Sequence, residues 1–263
     1  MSDKVKCKIC QGPSDEFSVK KVLNKYDVKY YQCPNCHFIQ TEEPYWLNEA
    51  YNNAITQLDI GLVYRNEYLA PLVSTLVKLF FQPGAKFIDY GGGYGLFVRM
   101  MRDRGFDFYR QDIYCDNLFA KHFDIADLPA GSKFDMLTAF EVFEHLIDPV
   151  NEVEKMLSHS DTILFTTELQ PAEANSLKNW WYFTPETGQH ISLYSLQSLS
   201  KIAERFNLHF LSHNNLHLLS KTKRNGFLYN MAFRRSFQKV TNLFNKRRSF
   251  LSSDFNKVKE TID

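Results

Sequence analysis

The sequence predicts an α/β protein, a doubly wound parallel sheet with a small cysteine-rich module before it and a basic helix after it. Three observations carry that prediction. Strand-like and helix-like segments alternate from residue 85 to residue 221. Two Cys-x-x-Cys pairs stand within the first 40 residues. Four glycines fall within five residues, Gly91 to Gly95, straight after the first strand of the alternating region.

A chain of 263 residues, 44% of them hydrophobic, has room for one large domain and an appendage. The opening "MSDKVKCK" lacks the apolar stretch of a signal peptide. No apolar run reaches the ~18 residues of a membrane span; "PLVSTLVKLFF" is broken by Lys78. The expected location is cytoplasmic, where cysteines serve as metal ligands or buried thiols rather than as disulfides. The net charge of +1 conceals an asymmetry: residues 221–263 carry eleven Lys/Arg against three Asp/Glu, a net of +8, which leaves −7 on the rest. These shifts of composition divide the chain into 1–40, 41–82, 83–221 and 222–263.

In the first segment, Cys7 and Cys10 are separated from Cys33 and Cys36 by 22 residues. Each Cys-x-x-Cys knuckle places two thiolates on one metal, and two knuckles complete a tetrahedral zinc site. A module of ~40 residues with little apolar content needs such a staple to fold. Four protein ligands close the coordination sphere, so the expected Zn2+ is structural. Redox chemistry is the alternative, but neither pair stands where a thioredoxin-like motif belongs. Cys115 stands apart and reads as a small core residue. Residues 41–82 read as helices, "PYWLNEAYNNAI" and "EYLAPLVSTLVKLF", ended by "QPG".

The alternating region follows. "AKFIDY", "FDFYRQDI", "SKFDMLTAF" and "DTILFTTE" read as strands, "GLFVRMMRDRG", "DPVNEVEKMLSH" and "SLQSLSKIAERFN" as helices, and "LHFLS" and "LHLLS" as closing strands. Asp148 is the expected N-cap of the second helix, with Pro149 at its first position. In such a sheet ligands bind beyond the carboxyl ends of the strands, and a glycine-rich turn lets backbone approach closely with amides at a helix start. Gly91 and Gly93 fit G-x-G-x-x-G, but its third glycine falls on Leu96. The pattern is instead Asp89-x-Gly91-x-Gly93-x-Gly95. An acid ahead of the glycines suits an ammonium group. Asp112, 23 residues on, can accept from two ribose hydroxyls. The expected ligand is an adenosyl group carrying an amino acid.

On these residues the chain resembles the class I S-adenosylmethionine-dependent methyltransferases, over about residues 85–221. The resemblance implies a Rossmann-like methyltransferase sheet, with the first motif on Asp89 to Gly95, the ribose acid on Asp112, and the adenine-edge acid on Asp124, with Asp127 as second choice. A four-cysteine module ahead of such a domain further resembles bacterial sugar C-methyltransferases and relatives in surface-glycan and antibiotic-sugar clusters. It implies a zinc-binding N-terminal module beside the substrate and a sugar-containing small-molecule or glycan acceptor in polysaccharide biosynthesis. The C-methyltransferases run longer, with a C-terminal domain for which this sequence has no room, so the reaction itself does not carry over. O-methylation is favoured, because nothing identifies a base for carbon acidity.

Two stretches could supply a base. "NWWYFTPETGQHISLYS", residues 179–195, is dense in aromatics. Its aromatics would stack on a sugar or nucleobase and His190 would take the acceptor proton; the alternative is a lid packed on itself. Similar loops recur in the glycan-associated relatives. "EVFEHL" places Glu141, Glu144 and His145 at i, i+3 and i+4. It looks like the E-x-x-E-H of quinone-precursor O-methyltransferases, where a divalent cation such as Mg2+ can be held; the alternative is that Glu141 lines the donor pocket while the other two orient loops. The candidate catalytic residues are thus His190, Glu141 and His145, with Glu168 a third choice. By resemblance to the class I methyltransferases the helices between Leu47 and Phe80 lid the donor, with Tyr51, Asp59, Arg65 and Asn66 as candidate contacts; the alternative is a plain helical cap.

In the tail, Tyr229, Phe233, Phe237, Val240 and Phe244 form one helical stripe amid Arg234, Arg235, Lys239, Lys246, Arg247 and Arg248. The helix packs on the domain or on a second subunit of a homodimer, or it lies on an anionic membrane surface. A nucleic-acid partner is the competing class for the zinc module and tail, but the acidic first 220 residues oppose it.

Overall fold

The computed structural model of the chain describes residues 5–52, 55–243 and 247–261. Strands β1 (Val5–Lys6), β2 (Pro13–Val22), β3 (Tyr26–Gln32) and β4 (Ile39–Thr41) come first, each antiparallel to the next. Helices α1 (Leu47–Ala50) and α2 (Leu62–Phe80) follow. The alternating region runs β5 (Lys86–Tyr90), α3 (Leu96–Asp103), β6 (Asp107–Gln111), β7 (Met136–Ala139), α4 (Pro149–His159), β8 (Thr162–Thr166), α5 (Ala174–Lys178), β9 (Ser192–Leu193), α6 (Leu196–Arg205), β10 (His209–His213) and β11 (Leu216–Ser220). Three helices close the chain, α7 (Gly226–Met231), α8 (Arg235–Leu243) and α9 (Leu251–Lys259). One sheet has the order β1-β2-β3-β4-β9 and the other β10-β11-β8-β7-β5-β6. The second is the expected α/β sheet, with β5 parallel to both β6 and β7.

The chain forms two compact units, each built from three stretches: Met1–Leu58, Glu141–Lys155 and Phe165–Leu219 in the first, Asp59–Phe140, Met156–Leu164 and Ser220–Asp263 in the second. The core of the first is aromatic. Tyr30, Trp46, Tyr182 and Phe183 are buried with Val22, Val28, Ile39 and Leu193, and the Trp46 indole donates to the Gly188 carbonyl at 2.9 Å. In the second, the β5 and β6 rings Phe87 and Phe108 stack at 4.9 Å, with Phe97 of α3 edge-on to Phe108. Leu72, Val73 and Val77 of α2 are fully buried.

Every strand and helix expected between 85 and 221 forms. Asp148 caps α4 as expected, its carboxylate accepting from the Asn151 amide at 3.1 Å. Two expectations are corrected. The helix expected over residues 44–55 contracts, within the described residues, to the single turn of α1; Trp46 is drawn into the core instead. The tail is not one helix either. It breaks between α7 and α8, where Gln238 Nε2 donates to the Ala232 carbonyl at 2.8 Å, taking the acceptor that a continuing helix would give to residue 236. The stripe is divided accordingly: Tyr229 is buried, Val240 is exposed, and Phe244, like Lys246, lies outside the described residues. The tail packs within the second unit. Thr241 contacts Thr75 at 3.3 Å, Lys78 donates to Asn242, and Asp254 of α9 pairs with Arg102. No helix among the described residues is long and apolar enough to cross a membrane.

Candidate functional site

The four cysteines of the first unit converge. Cys7 and Cys36 lie 3.5 Å apart at sulfur and Cys10 and Cys33 3.4 Å apart, and all four sulfurs fall within 4.8 Å of one another. Four thiolates on one tetrahedral zinc stand about 3.8 Å apart, given Zn–S near 2.3 Å, so the donor set fits that ion. The two knuckles are built alike. After each second cysteine comes a left-handed residue, Gln11 at φ 62° and His37 at φ 58°. The amide of each first cysteine then closes the loop, Cys7 N–H donating to Gly12 O and Cys33 N–H to Phe38 O.

The glycine turn of the second unit joins β5 to α3. Gly91 and Gly92 amides donate to the Gln111 carbonyl, and Gly93 N–H donates to Asp112 Oδ2 at 2.9 Å. Gly95 opens α3 at φ 83°, where a Cβ would stand 2.7 Å from Asn117 Oδ1, so only glycine fits. Asp112 Oδ1 also accepts from the Tyr114 and Cys115 amides, both at 2.8 Å. Asp89 ends β5 buried and accepts from Thr138 Oγ1 at 2.5 Å. Burial pushes its carboxyl up to about 7, with Asp112 adding to the rise and Thr138 and Arg110 opposing it. Asp89, Gly91, Gly93, Gly95, Asp112 and Asp124 are thus brought to one end of β5 and β6.

The residue that holds them there is one that the sequence reading missed. Arg110, paired in register with Asp89, is 3% exposed. Its Nε donates to Gly93 O at 2.6 Å, its Nη1 to Asp124 Oδ1 at 2.8 Å, and its Nη2 to the Cys115 carbonyl. The other oxygen of Asp124 accepts from Asn117 Nδ2 at 2.7 Å. Asp127 caps the adjoining turn, taking the Asp124 amide. The available signal was an arginine within a predicted strand, a charged side chain that must find partners when buried. Ile113, directly after Asp112, stands 77% exposed.

A second cluster lies in the first unit. One ligand atom from each of Glu144, His145 and His190 falls within 4.8 Å of the others. Glu144 and His190 meet because the Ile191 amide donates to the Glu144 carbonyl at 2.9 Å. His145 Nδ1 lies 3.1 Å from the Gln189 carbonyl and His190 Nδ1 2.6 Å from the Tyr182 carbonyl. A carbonyl only accepts, so Nδ1 carries the proton in both rings and Nε2 is the basic nitrogen. Burial drives His145 down to about 3, helped by His190, and lifts Glu144 well above the usual carboxylate range, helped by Glu141. Glu141 takes a left-handed backbone, φ 54°. Thr166 holds it there, accepting from its amide and donating to its Oε1, both at 2.8 Å.

The remaining candidates are placed as follows. The aromatics of 179–195 mostly build core: Tyr182, Phe183 and Tyr194 are buried, and Trp181 alone of the loop's rings stands 68% exposed. Glu168 accepts from Asn215. Asp59 pairs with Arg65 at 2.7 Å, Asn66 bonds back to Leu62 O, and Tyr51 lies edge-on to His145 at 6.3 Å.

Residues 63–213 match the family profile described as "Methyltransferase domain". No curated protein matches the sequence. Solved structures similar to this chain include magnesium protoporphyrin IX methyltransferase from Synechocystis PCC 6803 with bound SAH, at 16% identity and a TM-score of 0.43, covering 66% of this chain and 90% of that one. Another is a SAM-dependent methyltransferase, possible histamine N-methyltransferase, from Thermotoga maritima, at 12% identity and a TM-score of 0.42, covering 68% and 98%. A third is the Haloferax volcanii complex between the Trm112 methyltransferase activator and a methyltransferase, at 13% identity and a TM-score of 0.44, covering 68% and 97%.

Proposed function

The chain belongs to the methyltransferase-domain family and is an S-adenosylmethionine-dependent methyltransferase; from that premise we propose that it methylates a hydroxyl of a sugar-containing or related small-molecule acceptor in surface-glycan biosynthesis. The observation that carries the donor half is the Asp89–glycine–Asp112 constellation, pinned by Arg110. Asp89 faces the donor's ammonium, Asp112 its ribose, and the exposed face of Ile113 its adenine. Asp124 acts by holding Arg110, whose Nη1 donates to its Oδ1 at 2.8 Å.

Methyl transfer is an in-line displacement in which the protein supplies alignment and a dry site. The acceptor oxygen bonds to the methyl carbon, the carbon–sulfur electron pair returns to sulfur, and the hydroxyl proton passes to a base. We assign that base to His190, whose Nδ1–H is held by the Tyr182 carbonyl, so that Nε2 takes the proton; such a base is worth roughly 10²–10⁴-fold. A cavity of about 380 Å³ in the same unit, lined in part by Leu23, Glu49, Asn52, Gln57, Glu186 and Thr187, is a candidate acceptor site. Its wall is tied to the residue before His190, since Gln189 Nε2 donates to the Ala50 carbonyl at 2.9 Å. The four cysteines take a structural Zn2+.

The test is a methyl-transfer screen with labelled donor against nucleotide sugars and capsule or lipopolysaccharide intermediates. The expected result is turnover on one of these and a loss of 10²-fold or more in His190→Ala, with donor affinity retained. Turnover confined to non-sugar acceptors, or unchanged in His190→Ala at neutral pH, overturns the acceptor or the base respectively.

A further inference from the structure

Glu144 is the buried group that the fold leaves least satisfied. It has no exposed surface, and neither carboxylate oxygen has a hydrogen-bond partner among the described residues. The hydroxyls of Tyr182 and Thr167 lie nearest and partly offset the rise of its carboxyl, but neither reaches hydrogen-bonding geometry. Buried polar groups are almost always paired, so each exception calls for an explanation. The surroundings deepen the deficit, because Glu141, a second carboxylate, acts on Glu144 and raises it further.

The two histidines complete the picture. Both rings are turned by a carbonyl on Nδ1, so the nitrogen each can offer as a ligand is Nε2. Fixing a ring this way is how outer contacts orient metal-binding imidazoles. One oxygen of Glu144 and one ring nitrogen from each histidine gather within 4.8 Å of one another, a donor set that a shared cation would satisfy. Glu141 does not belong to the group; its Oε1 is engaged by Thr166. In this cluster His190, 45 residues beyond His145, takes the place that the E-x-x-E-H spacing gives to Glu141.

We infer that Glu144, His145 and His190 form a second metal centre, separate from the cysteines, which binds one first-row divalent transition ion. The ligand chemistry sets the class. Two imidazoles and one carboxylate suit zinc, manganese, iron or cobalt, whereas magnesium and calcium want oxygen throughout. Three protein ligands leave a coordination position open, the arrangement of reactive rather than structural sites. An ion there would ionise Glu144 and polarise an acceptor hydroxyl in the open position, replacing direct proton capture by His190. That use rests on the methyl-transfer reading; the binding of the ion does not.

The test counts metal on the full-length protein. Zinc in the protein as purified is measured by elemental analysis, and the same sample is titrated with Mn2+ while free Mn2+ is followed by electron paramagnetic resonance. Thiolate sites reject manganese, so the titration reads the new centre wherever zinc has not already filled it. Zinc plus bound manganese should total two per chain, falling to one in Glu144→Gln and in His190→Asn with melting temperatures retained. Cys33→Ser should remove the other. A total of one in the wild-type chain overturns the inference, and so does a total of two that both Glu144→Gln and His190→Asn leave intact. Should the total be one while His190→Asn still abolishes methyl transfer, the ion falls and the proton-acceptor reading stands. Should it be two with methyl transfer unaffected by His190→Asn, the ion stands and the acceptor reading falls.

Discussion

Replacing Asp254 by asparagine should destabilise the unit that holds the donor site, though Asp254 lies far from the glycine turn in sequence. Its carboxylate receives Arg102 in a two-point bond, Nε to Oδ2 at 2.7 Å and Nη2 to Oδ1 at 2.8 Å. Arg99 adds a contact at 3.0 Å. The side chains of Arg102 and Asp254 are only 5% and 6% exposed, so solvent cannot take over the bond. The guanidinium also lies 3.7 Å over the Phe123 ring. Asparagine keeps the shape but removes the charge, leaving Arg102 its Asp107 ion pair and the Phe108 carbonyl. Breaking a buried pair on one side costs about 3–5 kcal/mol, and the surviving Asp107 contact argues for the lower figure. At roughly 2–4 °C per kcal/mol for a protein of this size, the melting temperature should fall by about 6–12 °C. Differential scanning fluorimetry reads this directly, and a double-mutant cycle with Arg102→Met isolates the pair. A fall below about 2 °C would refute the reasoning, since the pair would then be solvated and α9 merely resting on the surface.

Three further outcomes are expected. Arg110→Met should raise the donor's dissociation constant about tenfold, ~1.4 kcal/mol, with kcat changed less, and Arg110→Lys should recover part of the loss; equal affinity in all three by calorimetry would make Arg110 a bystander. Donor affinity should climb between pH 6 and 8, because Asp89 sits up near 7 and the ammonium favours its ionised form, so that binding releases a proton below that value; a profile that Asp89→Asn leaves unaltered counts against the contact. His217 is wholly buried, with Nε2 donating to Thr167 O and Nδ1 accepting from Ser212, and burial holds it down at about 4. The unfolded chain takes up that proton from about pH 6.5 downward, so stability should be full above 6.5 and decline by up to ~1.4 kcal/mol per pH unit toward 4; a His217→Gln variant with the same acid slope in urea titrations would exclude it.

How much of this was legible depends on the reach of each interaction. Asp148 and its amide partner are three residues apart, so the N-cap could be read directly. The glycine turn is equally local, and the spacing from Asp89 to Asp112 spans a single strand–helix–strand unit. Arg110 is a different case. It is plain in the sequence as an arginine within a predicted strand, but its partners Gly93, Cys115 and Asp124 are set by parallel register and by the loop after β6. The loop at 179–195 shows why composition misleads. Its rings read equally well as stacking surfaces or as core, and only the packing of Tyr182 and Phe183 against Tyr30 and Trp46 decides. His190 beside Glu144, and Arg102 beside Asp254 across 152 positions, are tertiary facts with no local trace.

The division of the chain has a consequence for its biosynthesis. The path crosses between the two units five times, so neither is a contiguous piece that a ribosome could deliver finished. The cysteine module emerges well before β9, yet its sheet closes only when β9 pairs Leu193 with Ile39 and Ser192 with Gln40. Until some 150 further residues have been made, β4 offers an open edge of the kind that invites wrong partners. Contacts so distant form slowly, because the loop must be ordered before the pairing rewards it. A nascent chain of this protein is therefore a natural client for chaperones, and a truncation at any one interior boundary would strand part of a core on each side of the cut.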